Sequence, residues 1–334
     1  MRLAMKLDWR IVAPLLIVIA GILWGVIGLF STALSSAGLE PVQITVVRCT
    51  IAACFLGIVL AIFKPHAFKI HLRHIWVFLG TGVLSIAFYN VCYFACIELC
   101  GLSFAAILLY TAPCFVVLLS AFFFKEKLTA HRFGSLVLAF LGCLLVVGVG
   151  SGNFGLSGFG ILLGLASGIG YAFYSLFARV ALKHYEPLTV MFYTFVCAAL
   201  ALIPFSHPAA IVDLALNSST SLVIMLALSL VSTVLPFVCY TTGLAHMETG
   251  KASIMAFIEP MVSLLIGVLV FGEVLTLLNV FGVVMILCAV VLLNLPEKKF
   301  FSGAQAKFRK VRIFAEIKHW FFACQPTLVI LHCS

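Results

Sequence analysis

Charged residues are scarce in this chain. Only 9% of its 334 residues are Asp, Glu, Lys or Arg, whereas 64% are hydrophobic. Because a water-soluble domain of this length has too little interior to hide so much apolar surface, the composition excludes the soluble class. The apolar runs lack polar/apolar alternation, which also excludes a membrane-spanning strand barrel. The sequence therefore predicts an all-α polytopic membrane protein.

Several chemical motifs are also missing. The 12 cysteines form no C-x-x-C pair, so the pattern favours neither a disulfide nor a metal site. The chain has no G-x-x-x-x-G-K-[ST] phosphate loop, no H-E-x-x-H, no G-x-S-x-G and no pair of intramembrane aspartates. We therefore expect no ATP hydrolysis, no intramembrane enzyme and no cofactor. The formal charge of +9 comes without a nucleic-acid motif, so no nucleic-acid partner is expected.

The chain does contain ten apolar runs, each long enough to cross a bilayer. These predicted spans cover residues 12–34, 42–63, 75–98, 103–124, 133–150, 158–180, 188–205, 220–244, 252–271 and 277–294. The first half recurs in the second at a constant offset of 147 residues, so that Pro113 returns as Pro260 and Glu126 as Glu273. Because each copy holds five spans, an odd number, the second copy begins on the other side of the membrane. The prediction is ten transmembrane helices as two inverted five-helix repeats.

The duplication and the basic residues divide and orient the chain. The predicted parts are an N-terminus at 1–10, a first repeat at 11–150, a linker at 151–157, a second repeat at 158–295 and a basic tail at 296–334. Lys and Arg precede span 1 or follow spans 2, 4, 6, 8 and 10, and none lies in the other loops. The positive-inside rule then places both termini in the cytoplasm and the linker outside, in a multi-pass protein of the inner (plasma) membrane.

Short motifs recur in the two copies in the same order. The first copy carries Gly-Ile-Leu-Trp-Gly ending at Gly25, Tyr-Asn ending at Asn90, and Phe-Lys-Glu-Lys-Leu-Thr ending at Thr129. The second carries Glu-Pro ending at Pro260 and Phe-Gly-Glu-Val-Leu-Thr ending at Thr276. Together these motifs resemble the EamA-type repeat of the drug/metabolite transporter superfamily. The resemblance implies a ten-helix carrier of small metabolites, with a cavity between helices 1–4 and 6–9 and with helices 5 and 10 outside.

Glu259 is the first candidate for the transport site. It lies seven residues inside its span, where an acid costs a few kcal/mol unless it faces water, a partner or a ligand. We expect it to contact substrate or to carry a coupling proton, and a structural acid held by neighbouring helices is the alternative. Pro260 and Pro113 each remove a backbone N–H, so both helices are predicted to bend and expose backbone acceptors, including the Ala256 carbonyl.

Arg48 is the one cation well inside a span. It either snorkels toward the near surface or stabilises a substrate carboxylate at the outer mouth, and a direct bridge to Glu259 is not expected because the two enter from opposite faces. Other candidates offer ring faces or hydrogen-bonding tips to a substrate, with helix packing or an interface belt as the alternative. They are Trp24, Tyr89, Asn90, Tyr93, Tyr110, Tyr171, Tyr174 and Tyr240.

Two further features predict architecture. Gly21 and Gly25 on span 1, and Gly168 on span 6, leave faces free for close helix packing. Glu126 and Glu273 come directly after spans 4 and 9, where a helix-end or interface role is expected.

The leading functional prediction is a secondary carrier that exports an amino acid or related amphiphilic metabolite by alternating access. Its expected partners are the bilayer, the small-molecule substrate, a coupling proton and a second copy of the chain in a homodimer. Two alternatives stay open. One is a carrier of a purine, sugar derivative or drug, and the other is a non-transporting sensor or partner subunit on the same fold.

Overall fold

Ten helices long and apolar enough to cross a membrane run through residues 8–147 and 157–295, the part of the chain that the computed structural model describes. Their bounds are α1 Trp9–Ser36, α2 Pro41–Phe63, α3 Leu72–Cys100, α4 Phe104–Phe123, α5 Ala130–Val147, α6 Gly158–Ala181, α7 Pro187–Phe205, α8 Ser219–His246, α9 Thr249–Phe271 and α10 Leu277–Asn294. A short helix, Pro208–Asn217, lies between α7 and α8. The ten predicted spans are confirmed, and every predicted boundary that falls on a described residue lies within three residues of the observed one. The predicted end of span 5 at residue 150, most of the predicted N-terminus, nearly all of the linker and the tail lie outside the described ranges.

The two ends of the helix bundle differ in charge. We name the end with the loops after α2, α4, α6 and α8 the basic face, since it carries Lys64, Lys125 and Lys183 among others. The loops at the other end, the opposite face, carry the acids Glu40 and Glu273 and, within the described ranges, no Lys or Arg. Because each copy has five helices, α1 starts at the basic face and α6 starts at the opposite face, so the two copies are inverted relative to each other.

The first helix of each copy packs against the other copy. α1 lies on α8 and α9, and α6 lies on α3 and α4. A Cβ added to Gly25 would lie 2.5 Å from the Val262 Cβ, and one added to Gly168 would lie 2.7 Å from the Thr111 Oγ1. The predicted close packing at these glycines is therefore confirmed. α5 and α10 pair with each other in the same way, since a Cβ on Gly142 would lie 2.7 Å from the Gly282 carbonyl oxygen.

Both predicted proline bends are present. α4 is interrupted between Leu109 and Ala112, and α9 is interrupted between Met255 and Ile258. The expectation that Pro260 exposes the Ala256 carbonyl was wrong. That oxygen accepts a hydrogen bond from the Glu259 N–H at 3.0 Å, because the chain tightens at the break.

Two π-helical segments escaped the sequence analysis. They are Gly80–Ala87 in α3 and Leu230–Val234 in α8. Both end at matched positions, since the regular helix resumes at Phe88 and at Leu235, which are 147 residues apart. A π segment inserts a residue into the helical ladder and rotates the side chains that follow, and such segments are frequent at functional sites. In α3 the segment supplies part of the wall described next.

Candidate functional site

A cavity of about 920 Å³ lies between the two copies. Its wall comes from α1–α4, α6, α8 and α9, with Val146 and Val147 at the end of α5. The expectation that α7 also lines the cavity was wrong for the described residues. α7 instead packs against α2 and the π segment of α3, where a Cβ on Gly82 would lie 2.5 Å from the Thr194 carbonyl oxygen.

The cavity is a cup that opens toward the opposite face. Its rim includes Ser35 and Ser36 at the end of α1, Pro41 at the start of α2, Leu102 in the helical turn just before α4, and Glu273 in the loop after α9. At the other end, lining residues such as Ser175, Tyr240 and Ser253 stand inside helices, one or more turns from the basic-face loops. A molecule in the cavity therefore reaches the opposite face and is shut off from the basic face.

Every residue named as a site candidate from sequence lines this cup. They are Trp24, Arg48, Tyr89, Asn90, Tyr93, Tyr110, Pro113, Tyr171, Tyr174, Tyr240, Glu259 and Pro260. Both copies contribute, so the cavity belongs to neither copy alone.

Glu259 stands directly after the break in α9. The Tyr171 hydroxyl donates to its Oε2 at 3.4 Å, and the Tyr171 ring meets the Tyr89 ring edge to face at 5.4 Å between centroids. Within the described ranges, no Lys or Arg forms an ion pair with Glu259. An acid without a cation, facing a cavity inside the membrane, is free to bind a cationic group or a proton.

Arg48 occupies a different part of the wall. Its side chain is only 8% exposed, and Nη2 donates to the Tyr89 hydroxyl at 3.3 Å, so it points into the cavity rather than snorkelling to the surface. Its buried Nε has no hydrogen-bond partner in the described structure. Because a buried guanidinium without an acid is unstable, this position favours an anionic guest. Arg48 and Glu259 form no ion pair, so these two charges stay separate in the cavity wall.

Asn90 follows Tyr89 on α3 and lies near Arg48 of α2. Its Nδ2 donates to the Ile86 carbonyl at 2.7 Å, and Thr45 Oγ1 donates to its Oδ1 at 3.4 Å. The protein thus holds the amide in place, and the remaining hydrogen-bonding groups of the amide face the cavity. Ser85, one turn earlier, has a buried hydroxyl that finds no partner in the described structure.

Aromatic rings close the bottom of the cup. Trp24 lies 5.3 Å from Phe237 and 5.2 Å from Tyr240, and Tyr174 lies 4.9 Å from Phe237, all between ring centroids. The Tyr174 hydroxyl bonds Thr241 at 2.6 Å, and the Tyr240 hydroxyl bonds Ser175 at 2.7 Å. Since their hydroxyls are used between helices, these tyrosines offer apolar ring surface to a guest.

Sequence reasoning missed part of the lining. Phe237 gave no signal, because a phenylalanine in an apolar span is ordinary. A strip of hydroxyl side chains on α1 did have a sequence signal. Its members repeat at a spacing of four residues and so share one side of the helix: Ser31, Thr32, Ser35 and Ser36.

A bundle of ten spanning helices in two inverted repeats, closed around one shared cavity, is the architecture of a membrane transporter. The chain matches the EamA-like transporter family twice, at residues 11–148 and 158–295, and it belongs to that family. The resemblance inferred from the motifs is confirmed, and the protein is a transporter and not an enzyme.

The relatives agree with this assignment. A protein of Archaeoglobus fulgidus described as an uncharacterized transporter is 30% identical over 63% of this chain and 75% of its own length. Transporter YxxF of Bacillus subtilis, likewise uncharacterized, is 28% identical over 84% of this chain and 88% of its own. A probable amino-acid metabolite efflux pump of Escherichia coli is 26% identical over 63% and 73%, respectively. A solved crystal structure has the same fold, with a TM-score of 0.69 over 89% of this chain and 98% of that one, at 18% identity.

Proposed function

We propose that this protein exports a small amphiphilic metabolite, an amino acid or a close relative, by alternating access. The observation that carries the proposal is the cup between the two copies, with Glu259 and Arg48 in its wall and an aromatic floor. Its volume of about 920 Å³ falls in the range of small-molecule sites. The efflux pump of Escherichia coli among the relatives supports the substrate class.

The charges suggest how such a substrate is held. A carboxylate would bind the Arg48 guanidinium beside Asn90, and an ammonium group would bind the Glu259 carboxylate. The apolar part would rest on the rings of Trp24 and Phe237. A zwitterion with an apolar side chain satisfies all three surfaces, whereas a neutral sugar derivative leaves both charges without partners.

The direction and driving force are part of the proposal. Lys and Arg at the basic face favour a cytoplasmic location for that face in the inner membrane, so the cup opens to the outside. Glu259 would bind a proton when the ammonium group leaves, which couples release of the substrate to proton entry. Homodimer formation stays a prediction.

The test is transport by purified protein in lipid vesicles. Counterflow with a panel of amino acids, purines and sugar derivatives identifies the substrate, and flux under an imposed pH gradient measures the coupling. We expect Glu259→Gln to abolish net, gradient-driven flux and to raise the KM for exchange, because the amide can neither bind a proton nor form an ion pair with the ammonium group. Glu98→Gln is the matched control, since Glu98 is an exposed acid of α3 outside the cavity lining and should transport normally.

The substrate's carboxylate is tested with Arg48→Gln. Loss of charge-assisted hydrogen bonds should raise the KM for the carboxylate by about tenfold or more and leave the KM for its neutral amide unchanged. If wild-type flux ignores the pH gradient and Glu259→Gln transports normally, Glu259 is a structural acid. If folded protein moves no member of the panel, the sensor alternative is favoured.

A further inference from the structure

Glu126 joins the two copies at the basic face. It belongs to the loop after α4, yet its carboxylate reaches the first residues of α9 in the other copy. Oε1 accepts the Thr249 N–H at 2.7 Å, and Oε2 accepts the Gly250 N–H at 3.0 Å. These N–H groups have no partner within their own helix, and a carboxylate there is also favoured by the helix dipole. The contact holds the start of α9 at the closed end of the cup.

The second copy contains the same parts at the opposite face. At the offset of 147, Glu273 corresponds to Glu126, and the N–H groups of Leu102 and Ser103 correspond to those of Thr249 and Gly250. The lysines on either side of Glu126 are replaced by glycine and valine in the second copy, so the acid alone is retained. Duplication has therefore kept the group that makes the contact.

The two loops also share a backbone. The Glu126 N–H bonds the Ser120 carbonyl at 3.4 Å, and the Glu273 N–H bonds the Gly267 carbonyl at 3.1 Å, which is the same bond at matched positions. The residue before each acid is left-handed, with φ of 56° at Lys125 and 70° at Gly272. Both loops are thus built to present a glutamate in the same way.

The two carboxylates have different partners. The Glu273 carboxylate lies over Gly267 of its own helix, and Leu102 and Glu273 both line the open rim of the cup. The face where the acid bonds the other copy is closed, and the face where it does not is open.

We propose that Glu126 and Glu273 are alternating latches. In the state described here Glu126 closes the basic face. When the cavity opens to the basic face, Glu126 releases Thr249 and Gly250, and Glu273 binds the N–H groups of Leu102 and Ser103. This inference rests on the alternating access of the proposed function. Because one latch is made in each state, the two carboxylate contacts offset each other, and substrate binding can shift the equilibrium between the states.

Amide hydrogen exchange, measured by mass spectrometry on the full chain in lipid nanodiscs, tests the latches without substrate. Glu126→Gln should raise exchange in residues 249–256 and, at the same time, lower it in residues 102–109. Glu273→Gln should do the reverse. Each shift should be about threefold to tenfold, because a neutral amide is a weaker acceptor than a carboxylate. Asp213→Asn is the control, since the Asp213 carboxylate accepts a hydrogen bond from Asn217 within its own short helix, and this variant should leave both segments unchanged.

Coupled, opposite shifts at the two faces support the latches. If Glu126→Gln raises exchange in 249–256 and leaves 102–109 unchanged, Glu126 is only a helix cap and the inference is overturned. Shifts in the same direction for both glutamate variants also overturn it. Should Glu126→Gln fail to fold, Glu126→Asp shortens the same contact, and Glu273→Gln still gives an independent result. Transport is not measured, so a protein that moves no metabolite can pass this test and a working carrier can fail it.

Discussion

Replacing Gly25 with alanine should damage both stability and transport. A Cβ at this position would lie 2.5 Å from the Val262 Cβ and 2.8 Å from the Glu259 carbonyl oxygen. Carbon atoms in contact normally stand about 3.5–4.0 Å apart, so α1 and α9 would have to separate by roughly 1 Å. Neither obstacle is the flexible end of a side chain, so the strain reaches the backbone that carries Glu259.

The size of the effect follows from two opposing terms. Overpacking of a tight contact costs about 1–3 kcal/mol, and replacing glycine by alanine within a helix returns at most about 1 kcal/mol. The net loss should be about 1–2 kcal/mol, which lowers Tm by a few degrees in a chain of this size. Transport should fall at least several-fold, because the displaced segment includes the proposed proton site.

Gly134→Ala is the matched control. Gly134 lies on α5, is exposed, stands outside the cavity lining, and has nothing within 4 Å of a Cβ added there. This variant should be at least as stable as the wild type and should transport normally. Thermal unfolding followed by tryptophan fluorescence, together with vesicle transport, compares the two substitutions. If Gly25→Ala matches Gly134→Ala in both assays, the close α1–α9 contact does not constrain the protein.

Two further predictions concern topology and the tail. A reporter active only outside the cytoplasm should be active when fused at Asn217 and silent when fused after Lys127, and activity after Lys127 would contradict the inverted repeats. Truncation after Leu295 should leave transport largely intact, since all lining residues of the described cavity precede it. Complete loss of transport by folded, inserted, truncated protein would mean that the tail completes the pathway.

The parts of the structure that the sequence predicted are those that a bilayer constrains. A span must be a continuous apolar run, so ten spans could be located to within a few residues. A polar side chain deep in a membrane usually faces a cavity, a partner or a ligand, so the sequence identified Glu259, Arg48 and Asn90 as site candidates. All three line the cavity.

The missed features have no such signature. Phe237 is one of 31 phenylalanines, and its place in the floor depends on how α8 turns toward α6. The π segment Gly80–Ala87 changes the direction of side chains without changing composition. The partner of Glu126 is a pair of backbone N–H groups, and backbone groups are the same at every residue. The sequence marked the acid, and only the packing of the copies identifies what it binds.

Comparing matched positions of the two copies separates structural differences that come from the sequence from those that depend on which face of the cavity is open. α1 is interrupted at Val26, whereas the matched residue, Phe173, lies within the uninterrupted α6. The glycine at position 25 corresponds to Ala172, so the bend has a local cause in the sequence of one copy. The loops that carry Glu126 and Glu273 instead share a backbone hydrogen bond and a left-handed residue, and their carboxylates have different partners. The bend in α1 depends on residues that only the first copy has, so it stays in that copy throughout transport. The hydrogen bond between a glutamate and matched N–H groups can form in either copy, so it can be made at one face and broken at the other. The equilibrium between the open faces should therefore depend on the two acids more than on the bend in α1.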